Sequence, residues 1–272
     1  RFGGGGSPSL RATLRDVART VPDPNGKGSV YAEWRRASAV ADTTEPAMGD
    51  PGGGSDFAGF YNHLGIPIAE WGFGGAGGVY HSQYDDFTWM TKFGDSTFAY
   101  HAAAARIGAA MLLRLANADI IPYDYVEFAR TMKRYLPAMD RVLSAKKWSE
   151  NTMALRDAIG RMEQEATAFS SARDAVLAAG APSRAQRQAV NASLLQVERV
   201  LARPQGLRTR PWYRNLIYVA DQDNGYANMV FPSVNEAIRA NDERLAASEL
   251  TDLAQRFDLA TRALVAARAA LQ

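Results

Sequence analysis

Residues 72–86 read GFGGAGGVYHSQYDD, and this stretch decides how the rest of the chain is interpreted. Six of its first seven residues are glycine or alanine, so the backbone can adopt positive φ and let a ligand or another segment approach closely. A tyrosine, a histidine and a pair of carboxylates follow at once: Tyr80, His81, Asp85 and Asp86. This composition is typical of a site and not of a packed core.

The stretch by itself leaves the role of its histidine open. A histidine after a glycine-rich loop is more often an ordinary loop residue than a metal ligand. Zinc is usually held by about three or four side chains, and this stretch offers the imidazole of His81 alone. His81 is therefore either a loop residue or a metal ligand.

The overall composition is that of a globular protein. The chain has 272 residues, 47% hydrophobic and 22% charged, enough for one large domain or two smaller ones. A formal net charge of +2 shows no strong electrostatic bias, so we expect no nucleic acid partner. The absence of cysteine excludes disulfides and thiolate metal sites.

Short helices and one strand are predicted before the glycine-rich stretch. Ser9 is expected to cap the first helix. Further helical segments are predicted at 29–38 and 56–64, with the irregular segment 39–54 between them. A short buried strand at 66–71 then leads into the glycines. This alternation suits the C-terminal edge of an α/β sheet.

After the glycine-rich stretch the apolar residues follow a helical period. The first of these helices is predicted to bury the face formed by Phe98, Ala102, Ala105, Ala109, Leu112 and Ala116. Similar stripes recur within 155–176, 190–201 and 250–271, and Ser183 with Gln186 makes a capping box. These periods predict a bundle with antiparallel four-helix packing.

Several separated motifs resemble one known family. SDFAGFYNHLGIP at 55–67 and GGVYHSQYDDFTWMTKFGD at 77–95 resemble the end of the peptidase domain in zinc exopeptidases of the glutamate carboxypeptidase II family. RPWYRNLIYV at 210–219 and DNGYANMVFPSVNEAI at 223–238 resemble the transferrin-receptor-like dimerisation domain of the same family. The motifs keep their order, and the resemblance covers nearly the whole chain.

The resemblance implies a fold in two parts, α/β plus all-α. Residues 1–120 would be the incomplete C-terminal portion of the peptidase domain, at the edge of its α/β zinc-exopeptidase sheet. Residues 121–272 would be a four-helix-bundle-like dimerisation domain. Residues 3–7, GGGGS, have the composition of an added linker, although a glycine-rich stretch also precedes this helix in the family.

The family's site residues map onto separate positions of this chain. His81 matches the last ligand of a two-zinc site, and Tyr80 matches a tyrosine that would stabilise the oxyanion of a tetrahedral intermediate. Gly54 and Ser55 match a loop that contacts substrate, although glutamate-specific members carry asparagine at the position of Ser55. Tyr226 matches a residue that helps to hold the substrate's terminal side chain.

The contacts that grip an acidic substrate in the family are missing here. A lysine that binds the substrate α-carboxylate is replaced by Gly225, and an arginine patch falls on Glu70 and Gly72. Glu70, in a substrate-binding position, would repel an acidic ligand. We therefore expect a neutral or basic residue at the C-terminal position of the substrate. Asp85 is expected to support the ligand or the loop.

The resemblance implies a co-catalytic zinc carboxypeptidase in which zinc-activated water attacks a peptide. The family's other zinc ligands and its general-base glutamate fall before Arg1, and neither His63 nor His101 is expected to replace them. Because the chain begins at Arg1 and not at a methionine, we expect a fragment or processed product that is inactive alone.

The expected partners are the N-terminal peptidase portion, a peptide substrate and a second copy of the chain, giving a homodimer through the helical domain. Family members usually work outside the cytoplasm, so an extracytoplasmic location is expected. The alternative is a non-enzymatic, transferrin-receptor-like dimerisation or interaction module.

Overall fold

The computed structural model of the protein describes residues 1–26, 28–38, 44–75 and 77–272. These residues are mostly α-helical, with two small antiparallel sheets of two strands each. The helical character expected for the C-terminal half is confirmed. Residues 39–43 of the predicted irregular segment lie outside the described residues. Within the described ranges, no helix combines the length and apolar character needed to cross a bilayer.

The chain divides into two compact units, each with its own buried residues. The first unit comprises Arg1–Gly6, Arg11–Gly49 and Ala69–Ala118. The second unit comprises Ser7–Leu10, Asp50–Ile68 and Asp119–Gln272.

A glycine strand begins the first unit. β1 (Phe2–Gly6) pairs antiparallel with β2 (Ala69–Phe73). A Cβ atom on Gly4 would lie 2.9 Å from Leu14 Cδ2, so the end of the Leu14 side chain would have to shift. The glycines of the GGGGS stretch thus belong to a paired strand of the fold. The strand predicted at 66–71 is observed as β2, which begins later, at Ala69. It is only partly buried, because the glycines of the neighbouring β1 have no side chains to cover it.

The first helix starts two residues earlier than a cap at Ser9 predicts. α1 (Pro8–Thr20) begins at Pro8, a residue suited to the first helical position because its missing N–H would have no helical partner there. Ser9 lies inside the helix and does not cap it; its hydroxyl donates a hydrogen bond to the Glu198 carboxylate. One face of this helix is apolar and buried, and it consists of Leu10, Leu14 and Val17.

The core of the first unit collects residues from α1, from α2 (Val30–Ser38), from β1 and from α5 (Ala99–Ala116). These buried residues are Phe2, Leu14, Val17, Ala18, Val21, Val30, Trp34, Ala103, Ile107 and Met111. Before α5 the chain forms the short helix α4 (Phe87–Trp89), which continues as a π-helical turn (Met90–Gly94).

The face that α5 buries differs from the predicted one. Ala103, Ile107 and Met111 are buried, whereas the predicted residues from Ala102 to Ala116 are exposed and Phe98 precedes the helix. The helix is apolar on nearly every side, so spacing alone does not select a face. The buried face is instead the one that packs into the core of the first unit, and Leu112 and Leu113 lie outside it.

Six helices and a small sheet form the second unit. The first is α3 (Ala58–Leu64), and β3 (Tyr218–Ala220) pairs antiparallel with β4 (Asn228–Val230). The other helices are α6 (Tyr125–Ala145), α7 (Met153–Ala179), α8 (Arg184–Arg199), α9 (Pro232–Arg239) and α10 (Glu243–Ala269). α10 packs against α7, α8 and α9, and α6 packs against α7.

The long helices of this unit bury the stripes that the sequence predicts. Ser183 and Gln186 form the capping box of α8. The residues of the predicted stripes are buried, except that Val176 is half-buried: Leu155, Ile159, Met162, Ala166, Phe169, Val190, Leu194, Val197, Leu201, Leu250, Leu253, Phe257, Ala260, Leu264, Ala267 and Leu271.

A buried carboxyl group lies among these apolar residues. Glu198 on α8 accepts the hydrogen bond from the Ser9 hydroxyl, and burial raises the pKa of Glu198 from 4.5 to about 8. Burial also raises the pKa of Tyr123 to about 12, and the nearby Glu198 adds to that shift. The folded unit therefore holds Glu198 as a neutral acid at moderate pH.

The stability of the protein should fall between about pH 5 and about pH 8 because of Glu198. The unfolded chain releases this proton near pH 4.5, whereas the folded protein keeps it until about pH 8. The free energy of unfolding therefore falls as pH rises through this window, by at most about 1.4 kcal/mol per pH unit. Urea unfolding of Glu198→Gln should lose most of this slope. Glu243→Gln, at the exposed start of α10, should keep it, and an unchanged slope in Glu198→Gln would contradict the assignment.

Candidate functional site

Tyr80 and His81 lie at the tip of a tight turn in the first unit. The Ser82 backbone N–H donates to the Val79 carbonyl at 2.9 Å, and the Ser82 hydroxyl donates to the same oxygen at 2.6 Å. His81 has a φ of 60°, in the left-handed region, and its ring stacks on Tyr80 with centroids 3.8 Å apart. Both rings are exposed, Tyr80 by 72%. The turn thus presents a phenol and an imidazole side by side.

The two aspartates that follow this turn have different surroundings. Asp86 caps α4, since its Oδ1 accepts a hydrogen bond from the Trp89 N–H at 2.8 Å. The Asp85 side chain is exposed, and its backbone N–H donates to the Ser82 carbonyl at 3.2 Å. Asp86 is therefore a helix-capping residue that holds the end of the turn.

The other two histidines make local contacts within their own units. In the first unit, His101 Nδ1 lies 2.7 Å from Asp95 Oδ2, and the same oxygen accepts the His101 backbone N–H at 2.9 Å. In the second unit, the ring of His63 packs edge to face with Trp212 at 4.4 Å.

The residues present do not assemble a zinc site. Across the described part of the chain, no group of three or more histidine, cysteine, aspartate or glutamate side chains is placed to hold a metal ion. His81 supplies a single donor, whereas zinc requires about three or four. A zinc-dependent step cannot be derived from these residues alone.

In the second unit, Gly54 and Tyr226 lie against each other. A Cβ atom on Gly54, which has a φ of 74°, would lie 2.6 Å from Tyr226 Cδ1. A Cβ atom on Gly53 would lie 2.0 Å from the Gly225 carbonyl oxygen. Glycines are thus required where the two segments meet, and Tyr226 is left 69% exposed above Gly54. Ser55 is also exposed, and its carbonyl accepts the Ala58 N–H at 3.1 Å.

A cluster that sequence reasoning missed anchors the glycine segment. Asp50 accepts hydrogen bonds from the hydroxyls of Tyr135 at 2.7 Å and Tyr218 at 3.2 Å. The two hydroxyls lie 2.8 Å from each other. The participants are far apart in sequence, with Asp50 separated by 85 and 168 positions from its partners, so no local pattern could have revealed them.

The segment that carries Tyr226 is held by a second set of contacts. Arg239 on α9 binds Asp221 and Asp223, and these contacts with Arg239 lower the pKa of Asp221 to about 2. The Asp221 N–H donates to the Ala227 carbonyl at 2.9 Å. The loop between β3 and β4 is therefore closed at its base.

Glu70 lies in a groove of the first unit that is lined largely by glycine backbone. It stands opposite Gly5 in the β1–β2 register, and the groove measures about 540 Å³. Burial raises the pKa of Glu70 above its usual value. The predicted site residues are divided between the units: Glu70, Tyr80 and His81 belong to the first, and Gly54, Ser55 and Tyr226 belong to the second.

Comparisons with known proteins agree on one family. The transferrin receptor-like dimerisation domain matches residues 150–265. "Probable glutamate carboxypeptidase LAMP1" of Arabidopsis thaliana is 33% identical over 238 residues, which cover 87% of this chain and 33% of the relative. The chain is a glutamate carboxypeptidase II-like C-terminal portion.

Other relatives carry related names. "Probable glutamate carboxypeptidase VP8" of Zea mays is 30% identical over 240 residues, covering 87% of this chain and 33% of the relative. "Aminopeptidase NAALADL1" of Rattus norvegicus is 26% identical over 283 residues, covering 98% of this chain and 37% of the relative. This glutamate carboxypeptidase II-like portion thus spans about one third of the length of the curated relatives it matches.

Replacement of Gly53 by alanine should force the two loop segments apart. The new Cβ atom would meet the Gly225 carbonyl at 2.0 Å, so we expect a loss of about 2 kcal/mol in unfolding free energy and faster amide exchange at Tyr226. Gly225→Ala is the matched control, since nothing lies within 4 Å of its added Cβ atom. Equal stability and exchange in both variants would contradict the close approach.

Proposed function

We propose that these residues act as the C-terminal part of a co-catalytic zinc exopeptidase of the carboxypeptidase type, and that the isolated chain is inactive. One observation carries this proposal. Similarity to relatives named glutamate carboxypeptidase or aminopeptidase covers 87% to 98% of the chain, whereas the dimerisation domain alone matches residues 150–265. The similarity therefore extends well beyond the dimerising helices.

The proposal assigns a separate role to each matched residue. His81 provides one imidazole ligand, and the hydroxyl of Tyr80 donates a hydrogen bond to the oxyanion, worth on the order of 3 kcal/mol. Gly54, Ser55 and Tyr226 form a wall that contacts the peptide. The remaining ligands and the general base belong to a longer protein. The exposure of Tyr80 and His81 and the packing of Gly54 on Tyr226 support these assignments.

The finer architecture follows the same proposal. Residues 1–120 would complete the edge of an α/β peptidase sheet, and residues 121–272 would dimerise through a four-helix-bundle-like arrangement. The packing of α10 on α7 and α8 supports the bundle, and the match to the dimerisation domain supports a homodimer. The proposed location is extracytoplasmic.

Zinc content measured together with peptide hydrolysis tests the enzyme assignment. The 272-residue chain should retain less than one zinc ion and hydrolyse no peptide, because it has one matched ligand. A longer protein containing these residues should hold about two zinc ions. There, His81→Ala should abolish hydrolysis and tight zinc binding. His101→Asn, which keeps a donor toward Asp95, should preserve both.

A dimerisation or interaction module is the second candidate, and the match of residues 150–265 favours it. Both candidates give a dimer with twice the monomer mass in sedimentation equilibrium, with or without a chelator. They differ in the longer protein. If the longer protein is a dimer that holds no metal and hydrolyses no peptide, the peptidase assignment is wrong and the dimerisation module is favoured.

Glu70 is proposed to select against acidic substrates. Its carboxyl group is the one acidic side chain among the residues that line this groove, which are otherwise Arg1 and apolar or backbone groups, so a terminal glutamate placed beside Glu70 would meet like charge. In the longer protein we expect dipeptides ending in leucine or lysine to be cleaved at least about tenfold faster than those ending in glutamate. Glu70→Gln should bring the cleavage rates of these dipeptides closer together, because it should lower the KM of the dipeptide that ends in glutamate. Equal turnover of all three peptides by the unmodified protein would refute the selection.

A further inference from the structure

A basic groove in the second unit takes no part in the proposed hydrolysis. It measures about 410 Å³ and is lined by Arg199, Arg214 and His63 together with apolar groups that include Leu64 and Pro204. We call the groove formed by these residues the basic groove. No carboxylate lines it.

Backbone contacts fix the position of its basic residues. Gly65, with a φ of 61°, ends α3 so close to α8 that an added Cβ atom would lie 2.8 Å from Arg199 Cα. The Arg203 N–H donates to the Arg214 carbonyl at 2.8 Å. The side chain of Arg203 is itself buried in an ion pair with Glu249, at 2.8 Å. The groove is thus built on packed backbone and not on mobile loops.

The charge of the basic groove is uncompensated. Within the described part of the protein, neither Arg199 nor Arg214 forms an ion pair with a carboxylate. The C-terminal ends of α3 and α8 face this region and contribute about half a negative charge each. Two guanidinium groups outweigh them, leaving roughly one positive charge. An anion is the ligand that this balance favours.

The remaining lining of the basic groove is apolar, and an aromatic ring outside the lining packs against its histidine. Leu64 is 53% exposed at its edge. Trp212 is 59% exposed and packs edge to face against His63. An anion with an apolar or aromatic body would bury more surface here than an inorganic ion.

We propose that the basic groove binds a small organic anion. A carboxylate or phosphate lies between the guanidinium groups of Arg199 and Arg214, whose planar forks suit both kinds of oxyanion. The apolar body of the ligand rests on Leu64 and beside Trp212.

Titration of the 272-residue chain with three probes of similar shape tests the proposal. Benzoate and phenyl phosphate carry the anion, and benzamide is the neutral control. We expect saturable binding of at least one anion, with a Kd of about 1 mM or tighter at low salt, and no saturation with benzamide. Binding of benzoate alone would identify a carboxylate ligand, and binding of phenyl phosphate alone a phosphate ligand; either supports the proposal.

Variants locate the binding. Arg199→Gln and Arg214→Gln should each weaken binding at least about tenfold while the far-ultraviolet dichroism stays unchanged. Arg184→Gln, at the other end of α8 and exposed, should leave the Kd within about twofold, because its charge lies outside the basic groove. Absence of saturation with both anions, equal binding of benzamide, or equal losses in all three variants would overturn the proposal.

Discussion

Close approaches that only glycine allows determine how the loops of this protein are placed. In the first unit, β1 passes so near to α1 and β2 that side-chain atoms on Gly4 and Gly5 would come within 3 Å of Leu14 and Glu70. In the second unit, Gly53 does the same against a facing carbonyl, at 2.0 Å. These contacts bring segments together without filling the space between them. The groove beside Glu70 is a direct consequence, since its lining is largely glycine backbone.

Two buried ion pairs hold segments of the second unit in fixed positions. Arg203 and Glu249 form a nearly inaccessible ion pair, and Arg210 binds the equally buried Glu236. Removal of one partner from such a pair leaves an uncompensated charge, which costs about 3 to 5 kcal/mol. The Arg210–Glu236 pair joins the aromatic segment 210–231 to α9, and the Arg203–Glu249 pair joins the chain just before this segment to α10. That segment is therefore a firmly packed connection, whether or not it also reaches a substrate.

The sequence predicts the long helices well and the glycine segments poorly. α7, α8 and α10 carry large apolar side chains at regular spacing, so burial follows period. α5 is rich in alanine, which marks no face, and β1 has a composition that local rules assign to linkers. The site shows the same contrast. A resemblance can point to Tyr80, His81 and Tyr226, whereas the Asp50 cluster depends on contacts across the chain that no local pattern encodes.

The first unit leaves several large apolar side chains in solvent, and this observation favours their burial against a further protein surface. Tyr80, Tyr84, Phe87 and Phe93 are all more than 70% exposed within 14 positions, and Leu112 on α5 is 70% exposed. A folded domain rarely leaves such a patch uncovered. The second unit encloses its apolar stripes, although it also leaves Trp212 and Tyr226 exposed. The first unit combines its run of exposed side chains with a single matched metal ligand, and both features support the proposal that it works as part of a longer chain.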